Sequence, residues 1–290
     1  MMSARFFIYL CFKIKSMNLK QLFCIPVFSL ILAGCHTQRS SDRTQIRIET
    51  SEGDMVVALY NETPLHRDNF IHLADSGFYN GLLFHRVISD FMIQGGDPDS
   101  RDAQEGQLLG AGDIGDGIDA EFRYPTLFHK RGALAMAREG DEKNPDKRSS
   151  NCQFYLVWGK TFTDKELNEI ERSRNEQILQ KKVNLLFAEN EARFNQLEEQ
   201  GKMMPLQVLM DSLRIEAKKQ IAEGNMTFVI PDSIRKIYRE TGGVPWLDGN
   251  YTVFGEVTEG LEVIDKIQQK RTDRNDRPLQ DIKMKIKILR

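Results

Sequence analysis

Arg86 is the residue whose type and neighbours most invite a chemical reading. It lies in "FHRVISDFMIQGGDP", Phe84 to Pro98, a run that adds Phe91, Met92, a lone Gln94 and a double glycine ending on Asp97. The usual reactive sets are missing. The five histidines form no H-E-x-x-H pair, and no G-x-S-x-G elbow is present to raise a serine nucleophile. "GAGDIG", Gly110 to Gly115, has the spacing of a dinucleotide fingerprint, but it leads into "DGIDAEF" and not into a helix. Asp113 and Asp116 would repel a pyrophosphate there, and they lack the alternate-position pattern of a calcium loop, so a flexible surface loop is expected. Cys152, in the apolar run "CQFYLVW", reads as a buried thiol and not as an activated nucleophile. No metal and no cofactor are expected.

What remains is a reaction in which no bond is broken. If "LLFHRVI" is a strand, Leu83, His85 and Val87 share one face while Phe84, Arg86 and Ile88 share the other. From that pattern alone, an arginine whose stem packs over apolar surface with its head in water is the plainer reading.

The run Phe84-His85-Arg86-Val87-Ile88-Ser89-Asp90-Phe91-Met92-Ile93-Gln94-Gly95-Gly96-Asp97 resembles the signature of the cyclophilins, peptidyl-prolyl cis-trans isomerases. The similarity recurs in "ALAMA", Ala133 to Ala137, in "QFYLV", Gln153 to Val157, and in "WLDGNYTVFGEVTEGLEVIDKI", Trp246 to Ile267. It implies a closed eight-stranded antiparallel β-barrel capped by two helices, with the peptide bound in a groove outside the barrel. It also implies Arg86 as the catalytic residue, with Phe91, Met92, Tyr155 and Leu247 lining a pocket for the proline ring and Tyr251 closing it. Gln94, Gln153, Ala137 and Arg138 would hold the substrate backbone. Trp246 stands where cyclosporin-sensitive members carry tryptophan, so a cyclosporin-type ligand is a second implied partner beside proline-containing polypeptides. The sequence departs from the family at Arg138, often asparagine, at Tyr251, often histidine, and at Tyr155, often phenylalanine. The loop "REGDEKNPDKRSSN" is also long, which bears on the residues accepted beside the proline.

The elements that must position these residues are legible in outline as a mainly β fold with added α. "TQIRIET" and "MVVALY" alternate around a turn cluster and predict a hairpin. "TPLHRDNFIHLADSGF" predicts a short amphipathic helix with Thr63 as N-cap, Pro64 in its first turn, Leu65, Phe70, Ile71 and Leu73 on one face and Gly77 as its stop. Short apolar runs follow, bounded by Gly, Asp, Asn or Ser. From residue 161 to 243 the texture becomes long, charged and helical. "TDKE" is a capping box, Thr163 to Glu166, opening a helix expected to reach about Gln200. A second helix is expected to open at Pro205 and a third to run from Pro231 to the Gly242-Gly243 pair. β texture returns after Pro245, ending in "IKMKIKIL". We therefore expect a discontinuous barrel, 44–160 and 244–290, interrupted by a helical hairpin at 161–243 whose excision leaves isomerisation largely intact. The alternative class is a proline-peptide binding module or holdase working through the insertion, which binds clients or a partner protein in that reading.

The formal net charge of -2 offers no field for nucleic acid. Residues 1–35 read as an export signal, with Lys20 before an apolar stretch too short for the ~20 residues of a spanning helix. The signal ends in Leu32-Ala33-Gly34-Cys35, which looks like a bacterial lipobox, so Cys35 is expected to carry lipid, with 36–43 as linker. The chain would then be held in the bacterial cell envelope, facing the periplasm, and would meet a membrane through that anchor only. Translation could start at Met1 or at Met17. With Cys11 and Cys24 removed and Cys35 acylated, Cys152 has no disulfide partner.

Overall fold

The computed structural model describes residues 43–289, so the signal segment, the lipobox and Cys35 lie outside the described residues. Strand β1 (Gln45–Thr50) turns at Ser51-Glu52 into β2 (Gly53–Leu59). Ile46 and Ile48 point into the core while Gln45 and Arg47 face out, the period of two expected for a strand with one wet face. The other strands are β3 (Arg86–Ile88), β4 (Met92–Gly95), β5 (Ala133–Met136), β6 (Phe154–Val157), β7 (Val253–Glu259) and β8 (Met284–Leu289). All pair antiparallel, in the spatial order β3-β4-β6-β5-β7-β2-β1-β8. β8 lies against β1 in the register Thr50↔Met284 to Gln45↔Leu289, so the two ends of the chain build one sheet.

The sheet curls around a core of Ile46, Ile48, Met55, Leu59, Leu134, Leu156, Phe154, Phe254 and Ile286. The fold is thus mixed β/α, an eight-stranded antiparallel sheet with two helices packed into the same core. At its two edges, Phe84 N donates to Ile282 O at 3.0 Å and Met284 N to Leu82 O at 2.8 Å. The expected alternation of "LLFHRVI" holds only within β3. Phe84 and Val87 both pack inside, since the chain becomes regular strand only at Arg86. The expected sharing of a face by Phe84 and Arg86 is therefore corrected.

Helix α1 (Pro64–Asp75) buries His66, Phe70, Leu73 and Ala74, an i, i+4, i+7, i+8 stripe, which leaves Leu65 outside that face and exposed. Thr63 does not cap it. The carboxylate of Glu121 takes that place, accepting from Leu65 N at 3.3 Å and His66 N at 3.1 Å. Its Oε2 also lies 2.8 Å from His66 Nδ1, whose other ring nitrogen is 2.9 Å from Ser149 Oγ.

The capping box opens helix α2 (Asp164–Glu189), with Thr163 and Glu166 bonded reciprocally. The expected run to Gln200 is broken at Asn190, whose side chain donates to Leu186 O at 2.8 Å. This draws a free carbonyl away from helix continuation, and α3 (Glu191–Glu199) starts afresh. Helix α4 (Met203–Glu223) begins two residues before Pro205, which sits in a first turn where its missing N–H has no intrahelical partner to lose. Leu209, Leu213 and Ala217 of α4 pack on Leu186 and Phe194, forming a small distal core. Helix α5 (Asp232–Glu240) belongs to a different cluster: its Ile234 and Tyr238 pack with Phe162 and Leu167 and against Tyr124 and Phe128 of the β portion. Helix α6 (Leu261–Gln268) then sends Val263, Ile264 and Ile267 into the main core.

The helical excursion leaves and returns through a tight neck. Gly243 N donates to Lys160 O at 3.1 Å and Val244 N to His129 O at 2.8 Å. Gly243 has φ +150°, and a Cβ there would lie 2.3 Å from His129 O; one on Gly159 would lie 2.1 Å from Gly243 O. Only glycine fits either position.

Candidate functional site

Register assembles the site. Arg86 of β3 pairs with Gln94 of β4, and Gln94 pairs in turn with Tyr155 of β6. Residues opposite one another in a sheet share a face, so the three side chains form a row across the outer surface, with Met92 two positions along from Gln94. The strap after the neck, a 3₁₀ turn at Pro245–Leu247, brings Leu247 and then Tyr251 over this row.

The result is a cavity of about 170 Å³ lined by Arg86, Phe91, Met92, Gln94, Ala137, Arg138, Tyr155, Leu247 and Tyr251. Nine residues singled out in the sequence thus meet at one place. Gln153 stands beside them in an adjoining cavity of about 440 Å³ that shares Gln94, Ala137 and Arg138. Trp246 is at the rim, 41% exposed, with its ring 5.9 Å from that of Phe91.

A polar chain runs along one side. Arg86 Nη1 reaches Gln94 Oε1 at 3.4 Å, Gln94 Nε2 donates to Gln153 Oε1 at 2.9 Å, and Gln153 Nε2 donates to Gly112 O at 2.7 Å and Gly110 O at 3.0 Å. Each amide is oriented by the next, which aims the guanidinium at the cavity mouth. The "GAGDIG" loop, expected to be a flexible surface loop, is thereby tied to the site. Gly110 N also bonds to buried Asp97, and Asp113 accepts from Asn151 N at 3.0 Å.

The opposite wall is aromatic. The Arg138 guanidinium covers the Tyr251 ring at 4.5 Å, and each of its nitrogens has an internal partner: Nε on Asn250 O, Nη1 on Glu139 O, Nη2 on Asp141. Arg138 therefore buttresses Tyr251. Asp141 also faces Lys181 of α2 at 3.4 Å, so the excursion touches the long 138–151 loop. Burial holds the Tyr155 phenol well above the ordinary tyrosine range. Cys152 is buried with its Sγ 3.4 Å from Asp113, and burial pushes its thiol up, in line with an inert residue.

Sequence reasoning missed Asp276, which pairs with Arg86, and the buried set His129, Asp248 and Tyr238 behind Tyr155. No motif marks Asp276; "HKRG" and "WLDG" were visible, but only three-dimensional packing joins them. Among the described residues no group of His, Cys, Asp or Glu could hold a metal ion, and no helix is long and apolar enough to cross a membrane.

The family model described as "Cyclophilin type peptidyl-prolyl cis-trans isomerase/CLD" matches residues 45–177 and 221–288. A Staphylococcus saprophyticus protein named "Putative peptidyl-prolyl cis-trans isomerase" is 29% identical over 248 residues, covering 85% of this chain and 92% of its own length. A Staphylococcus haemolyticus protein of the same name is 28% identical over 239 residues, covering 82% and 87%. Among solved structures, a Cryptosporidium parvum cyclophilin type peptidyl-prolyl cis-trans isomerase aligns with a TM-score of 0.48 and 22% identity, covering 86% of this chain and 98% of that one. A second structure of that protein was determined in the presence of the dipeptide Ala-Pro and aligns with a TM-score of 0.47.

Proposed function

This chain belongs to the cyclophilin-type peptidyl-prolyl cis-trans isomerase family, and from that premise we propose that Arg86 catalyses rotation of X-Pro bonds held in the 170 Å³ cavity. Isomerisation crosses a barrier of ~18–20 kcal/mol because amide resonance is lost in the twisted state. There the imide nitrogen turns pyramidal and regains its lone pair. A guanidinium fixed beside the ring donates to that nitrogen and favours the twisted state over both planar ones. Phe91, Met92, Tyr155 and Leu247 hold the ring, and Tyr251 closes over it. Gln94, Gln153 and the backbone at Ala137 and Arg138 hold the substrate main chain while the carbonyl before proline swings. A gain of about 10⁵ requires roughly 7 kcal/mol of differential stabilisation. No step needs a cofactor.

The observation that carries this reading is the convergence of the Arg86 guanidinium and six apolar or aromatic residues on one cavity. A holdase has no need of Arg86, so the binding-only alternative explains less. The test is Arg86→Ala in a protease-coupled prolyl peptide assay, expected to cost about 100-fold or more in kcat/KM with the circular dichroism spectrum unchanged. Undiminished turnover would refute the assignment.

We read the sheet as a closed barrel, supported by the single bridge Leu83↔Lys283 between its edges. The 161–243 block is read as an insertion into that barrel. From the lipobox we infer a lipoprotein of the bacterial envelope, anchored at Cys35, facing the periplasm and acting on exported polypeptides. Cys35→Ser should release it from the membrane fraction. A cyclosporin-type ligand is a further inferred partner, with Trp246 at the cavity rim as its support.

A further inference from the structure

Tyr238 belongs to α5, the last helix of the excursion, yet its hydroxyl ends a hydrogen-bond chain that starts in the floor of the proline cavity. It donates to Asp248 Oδ2 at 2.7 Å. Asp248 Oδ1 accepts from His129 N at 2.8 Å and lies 2.9 Å from His129 Nδ1. His129 Nε2 lies 2.9 Å from the Tyr155 hydroxyl. A carboxylate only accepts, so Nδ1 carries the hydrogen, and in the neutral ring Nε2 then accepts from Tyr155. All four residues are buried, none more than 4% exposed.

The chain fixes geometry at the cavity in two ways. The His129 and Tyr155 rings lie 12° from parallel with centroids 6.1 Å apart, and the bond pins the hydroxyl end of the floor ring. Asp248 directly follows Leu247, so anchoring its carboxylate anchors the wall residue too. A phenylalanine would fill the floor as well as Tyr155 does; its hydroxyl serves only to lock the ring to His129. Removing one member leaves a buried oxygen or nitrogen unpaired, which such a network accommodates by shifting its other members.

We propose that Tyr238 is a positioning residue for isomerisation, holding Tyr155 and Leu247, through Asp248 and His129, in the arrangement that receives the proline ring. The proposal rests on the reading of the cavity given above, and it makes the base of the excursion part of the working site.

The test compares kcat/KM of the full-length protein with that of Tyr238→Phe, Tyr155→Phe and the double variant, well below the unfolding transition. Each single change should lower kcat/KM roughly three- to tenfold, and the pair should fall no further than the worse single within about twofold. A purely structural role would lower the thermal midpoint and leave kcat/KM alone. Arg239→Ala, on the same helix with its exposed guanidinium on Asp164, should leave kcat/KM unchanged. Tyr238→Phe within about twofold of wild type, losses that multiply, or an equal loss in Arg239→Ala would each overturn the proposal. A measurement on the wild-type protein guards against misfolded variants. By reciprocity, a bound prolyl peptide should slow amide exchange in α5, and no slowing also overturns it. Failure of the underlying cavity assignment would show separately, as wild-type turnover insensitive to Arg86→Ala.

Discussion

Arg86 Nε stands 3.5 Å from Oδ2 of Asp276, with both side chains 43% exposed. Asp276 comes from the segment between α6 and β8, and its carbonyl accepts from Val87 N at 2.8 Å, which ties that segment to β3. The guanidinium is thus held between a carboxylate and the Gln94 amide. Exposed ion pairs contribute about 0–1 kcal/mol, so Asp276→Ala should lower kcat/KM by less than about fivefold. The deficit should shrink in high salt, where the pair is screened in the wild type. A salt-independent loss would show that Asp276 acts by some other route.

His85, next to Arg86, is buried and neither ring nitrogen has a hydrogen-bond partner among the described residues. Burial lowers its pKa from 6.5 to about 4, against the opposing pull of Asp97. Above pH 6.5 both folded and unfolded chains hold it neutral and its contribution is fully present. Between 6.5 and about 4 the unfolded chain binds a proton that the folded chain refuses, so stability falls as pH falls through that window. The total for this group is about 3 kcal/mol. Urea unfolding at pH 7.5 and 4.5 should show the wild type losing about 2.5 kcal/mol more stability than His85→Leu, the share of the window that lies above pH 4.5. Parallel pH profiles would contradict it.

Truncation should separate two parts of the excursion. The family match is interrupted at 178–220, which is most of the hairpin formed by α2, α3 and α4, and that hairpin has its own small core. Replacing 178–220 with a short linker should preserve isomerisation within about threefold, because the tie it cuts to the loop beside the cavity, Lys181 to Asp141, is an exposed pair that contributes about 0–1 kcal/mol. Excising everything from Lys160 to Gly243 should instead cripple the enzyme, since it deletes Tyr238 and uncovers Tyr124 and Phe128. This reverses the expectation drawn from sequence. Full activity after the longer excision would restore that expectation.

Cys152 offers a test of packing. Its thiol is buried and pushed up, so alkylating reagents should label it only at the rate of unfolding. Peptide mapping after iodoacetamide treatment, with and without urea, reads this directly. Rapid labelling of the native protein would mean that the 150–153 segment opens locally.

The residues around the cavity were legible through a linear motif, whereas the strand period alone pointed to an arginine with its head in water. Arg86, Phe91, Met92 and Gln94 lie within one run, and the cross-strand partner Tyr155 sits in the shorter apolar run "CQFYLVW". The sheet was legible because β1 and β8 alternate cleanly, Ile46 and Ile48 against Met284 and Ile286. What was hidden depends on contacts between distant segments. Glu121 caps α1 from 55 residues away, so Thr63 looked like the cap. Asp248 reads as a turn acid until Tyr238 and His129 are seen to converge on it. The break at Asn190 was missed because its cause, a side-chain bond to Leu186 O, competes with helix continuation without any proline or glycine to announce it.

The glycine doorway at Gly159 and Gly243 has a practical reading. Because departing and returning chain are clasped within hydrogen-bonding distance there, a change in the length of the distal hairpin need not move the sheet. Such a port is suited to exchange: a reporter or affinity module could be spliced in place of the distal hairpin, provided the α5 segment that re-enters through Gly243 travels with its Tyr238.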